Sequence, residues 1–291
     1  MDRMIRGVSK NARFILVDST DLVREANKIH NCTPGAITTF GRFLTAGILI
    51  GATVKGDDLL TLRTETDGLV GQMLLTVNSK GDIKGYLESP GAGIENSDVK
   101  ISEFLGTGIL RVIKDMGLKE PYIGMSEMNS GDLAQDLAYY YYTSEQTPSV
   151  VILGVSFDET GDIEYAGGYM IQLLPDCDDF FIDKLEEKIK AIRTFTELRK
   201  GGMDLERIIK LIYEDMDIED GEGELLVEEY KILEEKSIQY SCNCSREKMF
   251  NKVIVIGKEE IENITSEKGS LDVECHFCGE KYKFIEEDFN F

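Results

Sequence analysis

The stretch TPGAITTFGRFLTAGILIGATV, residues 33–54, predicts a long helix at the centre of the first domain. Thr33 is a residue type that caps helix N-termini, and Pro34 suits the first turn because its missing N–H has no helical partner there. Apolar side chains recur at helical spacing: Ile37, Phe40, Leu44 and Ile48. Three glycines would let neighbouring elements pack closely: Gly41, Gly47 and Gly51. We therefore expect the rest of the domain to pack around this helix.

The segments around this helix predict a mixed domain of helices and sheets that ends near Pro175. Residues 21–30 (DLVREANKIH) and 130–146 (SGDLAQDLAYYYYTSEQ) have the apolar spacing of helices. Residues 71–89 (GQMLLTVNSKGDIKGYLES) contain two strand patterns around a glycine-containing turn, which is typical of a β-hairpin. Further strands are predicted at residues 59–65, 108–115, 149–157 and 164–174. We expect an N-terminal core domain over residues 1–178, in a chain of the α+β class.

A change of pattern after residue 178 predicts a linker over residues 179–236. Residues 178–202 (DDFFIDKLEEKIKAIRTFTELRKGG) predict one amphipathic helix that ends at Gly201 and Gly202. The candidate apolar face of the linker consists of Phe181, Leu185, Ile189 and Ile192. A shorter helix follows, and residues 214–235 then contain eleven acidic residues and one basic residue, a composition that opposes compact burial. We expect a helical and acidic linker whose stability depends on docking.

Four of the six cysteines lie in two short pairs in the last segment, residues 237–291, which is too small to build much of a core. The pairs are Cys242-x-Cys244 and Cys275-x-x-Cys278. Structural zinc takes four ligands in a tetrahedron, and two short cysteine pairs brought together by the fold would supply them. His276 lies inside the second pair, and we interpret it as a surface residue of the turn. The spacing therefore predicts a small C-terminal zinc domain held by these four cysteines.

Thiol chemistry at this site would conflict with metal binding. Zinc holds sulfur as thiolate, the form that oxidants attack, but coordination also shields it. Sulfurs that share a zinc ion lie about 3.8 Å apart, whereas a disulfide needs about 2.05 Å, so oxidation and zinc retention exclude each other. Structural zinc contributes on the order of 10 kcal/mol to the folding of a small domain, so oxidation would also unfold it. Cys32 and Cys177 lie far from the cluster in the sequence, and we interpret both as ordinary packed thiols.

The composition limits the classes of function. A chain of 291 residues with 42% hydrophobic residues is long enough for a full hydrophobic core. Its formal charge of −22 would repel phosphate backbones, so we expect no nucleic-acid partner. The first residues, MDRMIRGVSKNARF, lack the apolar segment of a signal peptide, and no run approaches the length of a membrane span. We therefore expect a cytoplasmic protein with no membrane partner, and in that compartment clustered cysteines favour metal or redox roles over structural disulfides.

No sequence motif predicts an enzyme site. The glycine pairs in GAGIEN and GTGIL complete no dinucleotide fingerprint, and a phosphate-loop GK[ST] motif is absent. The two histidines, His30 and His276, do not support a hydrolase triad, because no G-x-S-x-G elbow accompanies them. We expect His30 to satisfy the last carbonyls of the helix that it closes. The sequence is therefore expected to encode a protein that is not an enzyme.

Several segments resemble the redox-regulated 33 kDa heat-shock chaperone family, a family of zinc-binding holdases, over nearly the whole chain. These segments are FGRFLTAGILIGATVKG (40–56), DGLVGQMLLTVNSKGDIKGYLESP (67–90), LRVIKDMGLKEPYIG (110–124), DLAYYYYTSEQTPSVVILGV (136–155) and ECHFCGEKYKF (274–284). Leu69 departs from the family pattern, because proline is common at that position. The departure affects one turn, and all four cysteine positions of the family are occupied.

The resemblance implies an N-terminal core, a helical linker and a C-terminal zinc domain. It implies that the four clustered cysteines bind one zinc ion when reduced, and that oxidants join Cys242 to Cys244 and Cys275 to Cys278. Zinc then leaves, and the protein becomes a holdase that binds unfolding client proteins without ATP, as a homodimer. We hypothesise that unfolding of the zinc domain undocks the linker, and that the linker and the core surface then capture clients.

Two other functions remain open from the residues alone. A thiol oxidoreductase would use Cys242 and Cys244 as a catalytic dithiol, with at least one exposed, metal-free cysteine of low pKa. Stoichiometric zinc without turnover of small disulfides would exclude it. A binding module would instead use zinc to shape a contact with protein or nucleic acid. The negative charge disfavours nucleic acid, and a salt-sensitive complex would be needed to support that reading.

Overall fold

The computed structural model describes residues 2–93, 99–219 and 225–289. Part of the acidic run predicted over residues 214–235 therefore lies outside the described residues, namely 220–224. The chain divides into two compact units, Met1–Tyr240 and Ser241–Phe291. We describe each unit by itself, beginning with the larger one.

The first unit combines helices with antiparallel strands, which confirms the predicted α+β class. In chain order its elements are β1 (Arg3–Ser9), β2 (Ala12–Asp18), α1 (Thr20–His30), α2 (Pro34–Gly51), β3 (Leu59–Thr66), β4 (Met73–Asn78), β5 (Asp82–Leu87), α3 (Ile101–Leu105), β6 (Gly108–Asp115), β7 (Tyr122–Met128), α4 (Leu133–Thr143), β8 (Ser149–Phe157), β9 (Ile163–Leu173), α5 (Asp179–Ala191), α6 (Phe195–Lys200), α7 (Leu205–Tyr213), β10 (Asp217–Glu219), β11 (Leu225–Val227), β12 (Tyr230–Ser237) and β13 (Gln239–Tyr240).

Two sheets carry most of these strands. The first sheet has the order β12-β1-β2-β9-β8, and all of its neighbouring strands are antiparallel. The second sheet has the order β13-β5-β4-β3-β6-β7, and it is antiparallel except for the short β13–β5 pair. The predicted hairpin over residues 71–89 is confirmed as β4 and β5. The chain therefore ends its first unit by adding one strand to the edge of each sheet.

Helix α2 is the predicted central helix, and its position is confirmed. Thr33 caps it by accepting a hydrogen bond from the backbone N–H of Ala36, and Pro34 occupies the first turn. The helix packs against strands of both sheets, and nearly all of its residues are buried. Its glycines allow this close approach: a Cβ on Gly47 would lie 2.7 Å from a methyl carbon of Leu75 in β4. One apolar core thus joins α2 to the facing sides of both sheets.

Helices α5 to α7 form a second apolar cluster with the other side of the first sheet. Phe181 is fully buried there and Leu185 is 3% exposed, whereas Ile189 and Ile192 pack at its margin and are partly buried. The single helix predicted over residues 178–202 is wrong, because the chain breaks between α5 and α6. Thr194 starts α6 with a capping box, in which its hydroxyl accepts from the N–H of Glu197 and its own N–H donates to the Glu197 carboxylate.

The acidic half of the predicted linker is not helical. Its described residues form β10, β11 and β12, and β12 pairs antiparallel with β1 at the edge of the first sheet. Strand pairing satisfies the backbone polar groups without burying both faces of the strand, which suits a segment with few apolar side chains. Residues 179–236 lie within the first unit. Their boundaries as a linker stay a prediction.

The second unit is built from α8 (Arg246–Val253), α9 (Lys258–Lys268), β14 (Leu271–Glu274) and β15 (Lys281–Phe284). The last two strands form an antiparallel hairpin that carries the second cysteine pair in its turn. A small cluster of buried side chains joins the helices to the hairpin: Met249, Val253, Ile261, Leu271, Cys275, Phe284 and Phe289. In the described parts of the chain, every helix falls short of the length or the apolarity that a membrane span requires.

Candidate metal centre

The second unit brings the four predicted ligands together from two loops. Cys242 and Cys244 precede α8, and Cys275 and Cys278 lie in the turn between β14 and β15. That turn closes on the Cys275 carbonyl, which accepts hydrogen bonds from the N–H groups of Cys278 and Gly279. Gly279 has φ of 70°, a left-handed conformation that favours glycine. The hairpin turn therefore brings the sulfurs of Cys275 and Cys278 into one cluster.

The geometry of the four sulfurs suits a single metal ion. The four Sγ atoms all lie within 4.8 Å of one another. The distance between the sulfurs of Cys242 and Cys275 is 3.8 Å, and that between Cys244 and Cys278 is 3.4 Å. Four thiolates around one zinc ion would lie about 3.8 Å apart, so the cluster is close to the spacing that coordination requires. A set of four soft sulfur donors favours zinc over harder cations such as calcium or magnesium.

No other group of three or more candidate ligands occurs among the residues that the structure describes. His276, which lies inside the second pair, is exposed and does not join the sulfur cluster. Its interpretation as a surface residue of the turn agrees with this position. The arrangement can therefore hold one metal ion through sulfur alone.

The cysteines also belong to the small apolar core of the second unit. Cys275 is 5% exposed, and the other three pack against the same cluster of buried side chains. Phe250 and Phe289 stack at 5.3 Å, and both rings approach Phe284. Because so few side chains make this core, displacement of the four sulfurs would remove a large part of its contacts.

Sequence reasoning missed one polar neighbour of the cluster, Tyr282 on β15. Its hydroxyl lies 3.1 Å from the sulfur of Cys244. Burial by itself would raise the pKa of Cys244, but hydrogen bonds from Tyr282 and from the other three cysteines outweigh it and lower this pKa. Burial raises the pKa values of Cys242 and Cys278. Among these three thiols, Cys244 is thus the one whose surroundings favour the thiolate. A tyrosine on the returning strand was the one sequence signal for it.

The remaining cysteines and His30 lie elsewhere in the first unit. Burial raises the pKa of Cys32 to about 12 and that of Cys177 to about 11, which agrees with packed, unreactive thiols. His30 does end α1, but the predicted contact with its own helix is wrong. Its Nε2 lies 3.1 Å from the carbonyl oxygen of Gly85 in β5 and 3.2 Å from the hydroxyl of Tyr240. The ring therefore ties α1 to the end of the first unit.

The linker residues predicted as an apolar face are only part of the docked surface. Phe181 and Leu185 face the first sheet, as described above, and further apolar residues of α6 and α7 join them: Phe195, Leu198, Leu205, Ile208, Ile209 and Ile212. The helical spacing of the α7 residues was a readable signal for this second contribution. They dock on five apolar side chains of β1, β2 and β9: Ile5, Phe14, Leu16, Tyr169 and Ile171.

A family model, curated relatives and a solved structure all match this chain to one protein family. A family model described as "Hsp33 protein" matches residues 2–285. A "33 kDa chaperonin" of Clostridium perfringens (strain SM101 / Type A) is 39% identical over 295 residues, covering 99% of this chain and 90% of that protein. A "33 kDa chaperonin" of Clostridium botulinum (strain Langeland / NCTC 10281 / Type F) is 40% identical over 294 residues, covering 99% and 95%. The crystal structure of the Thermotoga maritima 33 kDa chaperonin aligns with a TM-score of 0.84 at 29% identity, covering 98% and 95%.

A large α+β unit followed by a small unit with a four-cysteine centre therefore defines a heat-shock chaperone rather than an enzyme. The chain belongs to the Hsp33 family. This membership confirms the resemblance of its segments, and it excludes the thiol oxidoreductase as the main activity. As a chaperone of this family the protein binds unfolded client proteins.

Proposed function

We propose that the protein is a redox-regulated, ATP-independent holdase of the cytoplasm. In the reduced state it would be inactive, and oxidation of the cysteine cluster would make it bind unfolding proteins. The observation that carries this proposal is the gathering of four thiols at the centre of a very small core. A chemical change at those sulfurs can unfold the second unit, because that unit has few other contacts to stabilise it.

In the reduced state Cys242, Cys244, Cys275 and Cys278 would hold one zinc ion. Bound zinc would fix the four sulfurs as thiolates in one tetrahedron and thereby supply most of the stability of the second unit. The 3.8 Å separation of the Cys242 and Cys275 sulfurs supports this assignment. Tyr282 would donate a hydrogen bond to the Cys244 thiolate and so help to orient it.

Oxidation would form two disulfides, Cys242–Cys244 and Cys275–Cys278. In each pair one S–S bond forms as two thiolates give up two electrons to a peroxide, whose O–O bond breaks and which leaves as two waters after taking up protons from solvent. All four sulfurs lie within 4.8 Å of one another, so each pair is within reach after a small movement. A disulfide shortens the distance to about 2.05 Å, and the oxidised sulfurs could no longer hold the metal.

Release of the linker would then expose the client-binding surface. Phe181, Leu185, Ile189 and Ile192 pack with the second apolar cluster, and burial of each such side chain is worth roughly 1.5–3 kcal/mol when complete. Undocking would uncover this face together with the apolar side of the first sheet. Exposed surface of this kind binds the apolar segments of unfolding proteins. The formal charge of −22 would keep the open form soluble, and the active form would be a homodimer.

One experiment tests the whole proposal. Zinc content, free thiols and suppression of client aggregation are measured on the same samples before and after treatment with peroxide and mild heat. We expect the loss of one zinc ion and four thiols, with a gain in aggregation suppression and in apolar-dye binding. Loss of zinc and thiols without either gain would contradict the coupling between the cysteine cluster and the client surface.

A further inference from the structure

Strand β12 forms one edge of the first sheet. All of it except Ser237 belongs to the predicted linker, which would undock in the proposed function. It lies antiparallel along the whole of β1, from the Arg3–Ser237 pair to the Ser9–Tyr230 pair. One irregularity interrupts the register between Arg6 and Gly7 and leaves Leu233 without a partner residue on β1. When β12 is in place, the backbone of β1 is paired on both sides, with β12 on one side and β2 on the other.

Few buried side chains hold β12 in place. Leu233 is 59% exposed and Ile232 is 36% exposed, although both are apolar. Two ion pairs join the strands, Arg6 to Glu234 at 2.5 Å and Arg3 to Glu235 at 2.8 Å, and all four side chains keep considerable exposure to water. Exposed ion pairs of this kind contribute little to stability. Side chains add contacts toward the two ends of the strand, where the ring of Tyr230 packs on Phe14 and Tyr213 and the ammonium of Lys236 donates to the carbonyl of Ser79. Between these ends the backbone ladder is the main attachment, and it does not depend on the identity of the side chains.

The β1 backbone is shaped for close approach by another strand. Gly7 has no side chain, and a Cβ there would lie 2.3 Å from the carbonyl oxygen of Lys231 in β12 and 2.2 Å from the ring of Phe14. The chain is also connected so that release can reach β12, because Ser237 at its end precedes Cys242 by five residues. Tyr240 lies between Ser237 and Cys242, and its hydroxyl donates a hydrogen bond to the carbonyl of Gly85 at 2.7 Å. Release of β12 would therefore also require this contact to break.

We propose that the outer edge of β1 is a client-binding surface, and that β12 occupies it in the closed state in place of an extended client segment. The inference rests on the proposed function, since it requires β12 to leave when the protein is activated. An edge strand with unpaired N–H and C=O groups is a template for another strand. Backbone pairing reads no sequence, which fits a chaperone that must hold unrelated unfolding chains.

The occupant is an extended segment that adds antiparallel to β1. β12 shows its chemistry: an extended strand without proline that tolerates one register irregularity, with carboxylates that pair with Arg3 and Arg6 and with exposed apolar side chains. Unfolding proteins expose such segments, whereas a folded helix cannot supply the backbone groups. The apolar side of the first sheet, uncovered by α5 to α7, would add contacts that depend on side chains.

The test uses the full-length oxidised protein and a labelled peptide with the sequence of residues 229–238, EYKILEEKSI. Two N-methylated forms keep every side chain. One carries methyl groups at the partners of Met4, Arg6 and Val8, which are Lys236, Glu234 and Lys231. The other carries them at the partners of Ile5, Gly7 and Ser9, which are Glu235, Ile232 and Tyr230. In an antiparallel pair, alternate residues direct their N–H groups to opposite edges, so only one form loses the bonds to β1.

We expect the unmodified peptide to bind the oxidised protein and to compete with a chemically unfolded client for aggregation suppression. One N-methylated peptide should bind at least about tenfold more weakly, because several backbone hydrogen bonds are lost, and the other should bind nearly as well as the parent. Equal binding of both methylated peptides would overturn the inference, since side chains would then carry the affinity. Binding without competition against the client would overturn it as well.

A second variant tests the same edge without oxidation. Lys231 and Ile232 belong to the two alternate sets, so the N–H of one of them faces β1. The double variant Lys231→Pro/Ile232→Pro should therefore break β12 pairing and let the reduced protein bind the peptide with its thiols and metal content intact, whereas Lys231→Ala/Ile232→Ala keeps both backbone N–H groups and should leave the edge closed. Failure of the double proline variant to bind the peptide would contradict the assignment of the β1 edge as the binding surface. The proposed function fails separately if the oxidised parent does not suppress aggregation. If it does suppress aggregation but shows no backbone-dependent peptide binding, only this inference falls.

Discussion

The two units of the molecule are stabilised by different means. The first unit buries α2 between two sheets and adds a second apolar cluster under α5 to α7, so its stability comes from hydrophobic burial. The second unit has one small cluster in which cysteine is among the buried residues. A domain of that size needs an additional source of stability, and four sulfurs around one metal would provide it. The contrast teaches that thiol chemistry can unfold one unit and leave the core of the other folded.

The largest effect is expected from breaking the cysteine cluster. Cys275→Ser removes a buried sulfur of the proposed metal site, and loss of tight zinc binding would remove on the order of 10 kcal/mol from the second unit. We expect zinc binding to weaken sharply and amide protection to disappear from α8, α9 and the β14–β15 hairpin. Protection in α2 and the second sheet should persist. Zinc titration and hydrogen exchange measure both results.

The matched control for this change is Cys177→Ser. Cys177 is a partly buried cysteine of the first unit, and it lies outside the sulfur cluster. We expect this variant to bind zinc as the parent does. Unchanged zinc affinity in Cys275→Ser would disprove the ligand assignment, and collapse of α2 in that variant would disprove the independence of the two units.

The next effect sharpens the comparison by releasing the linker without touching a cysteine. Phe181 is fully buried between α5 and the first sheet, so Phe181→Ala should cost about 3–5 kcal/mol of docking free energy. We expect the reduced variant to bind an apolar dye and to suppress client aggregation while it keeps its metal and thiols.

Phe180→Ala is the paired control, because the neighbouring ring is partly exposed and contacts Lys184 rather than the second apolar cluster. It should change dye binding little. Equal dye binding by the two alanine variants would mean that burial of Phe181 does not hold the linker down.

A smaller effect concerns a buried carboxylate in the first unit. Asp2 accepts hydrogen bonds from the N–H groups of Asp21 and Leu22 at the start of α1. Burial raises its pKa to about 6 despite these bonds, and the nearby charge of Asp18 adds to the rise. A folded-state pKa above the unfolded value gives stability at low pH that is lost as the pH rises through about 6. The free energy of unfolding of Asp2→Asn should therefore increase relative to that of the parent as the pH rises from 4 to 7, by up to about 3 kcal/mol.

Urea unfolding of the two proteins at several pH values measures this difference. Asp158→Asn provides a control of opposite sign. Asp158 lies between β8 and β9, and hydrogen bonds from the Thr160 hydroxyl and from backbone N–H groups lower its pKa. The Asp158 carboxylate stabilises the folded state above its unfolded pKa, and this stability is lost as the pH falls. Asp158→Asn should therefore be less stable than the parent at neutral pH. A pH-independent difference for Asp2→Asn would contradict the assignment.

The sequence predicts those features that local residues determine. The cap at Thr33 and the spacing of apolar residues locate α2, and two short cysteine pairs locate the sulfur cluster. The break before α6 was also readable, because Thr194 and Glu197 form the T-x-x-E signature of a capping box. It was missed because the apolar spacing continues across it.

Other features depend on contacts between distant parts of the chain. β12 pairs with β1, more than 220 positions earlier, and its acidic composition gave no local sign of a strand. Glu228 is 2% exposed, because its carboxylate accepts hydrogen bonds from the backbone N–H and the side-chain amide of Asn11 in the β1–β2 turn. An acidic run predicts exposure on average, whereas one position in it is buried by a partner that only the fold supplies.

The smallest expected effect lies beside the sulfurs and tests how finely the second unit is tuned. Tyr282→Phe removes one hydroxyl that lies 3.1 Å from the Cys244 sulfur and leaves the ring in place. A hydrogen bond to a thiolate withdraws electron density from it, so its loss should make Cys244 more reactive toward peroxide. One such bond is worth about 1 kcal/mol, which corresponds to a roughly fivefold faster release of zinc under peroxide, followed with a colorimetric chelator. Tyr142→Phe, at an exposed tyrosine of the first unit, should release zinc at the parent rate. Equal rates of zinc release for both variants would mean that the Tyr282 hydroxyl does not affect the reactivity of Cys244 and that the metal alone sets it.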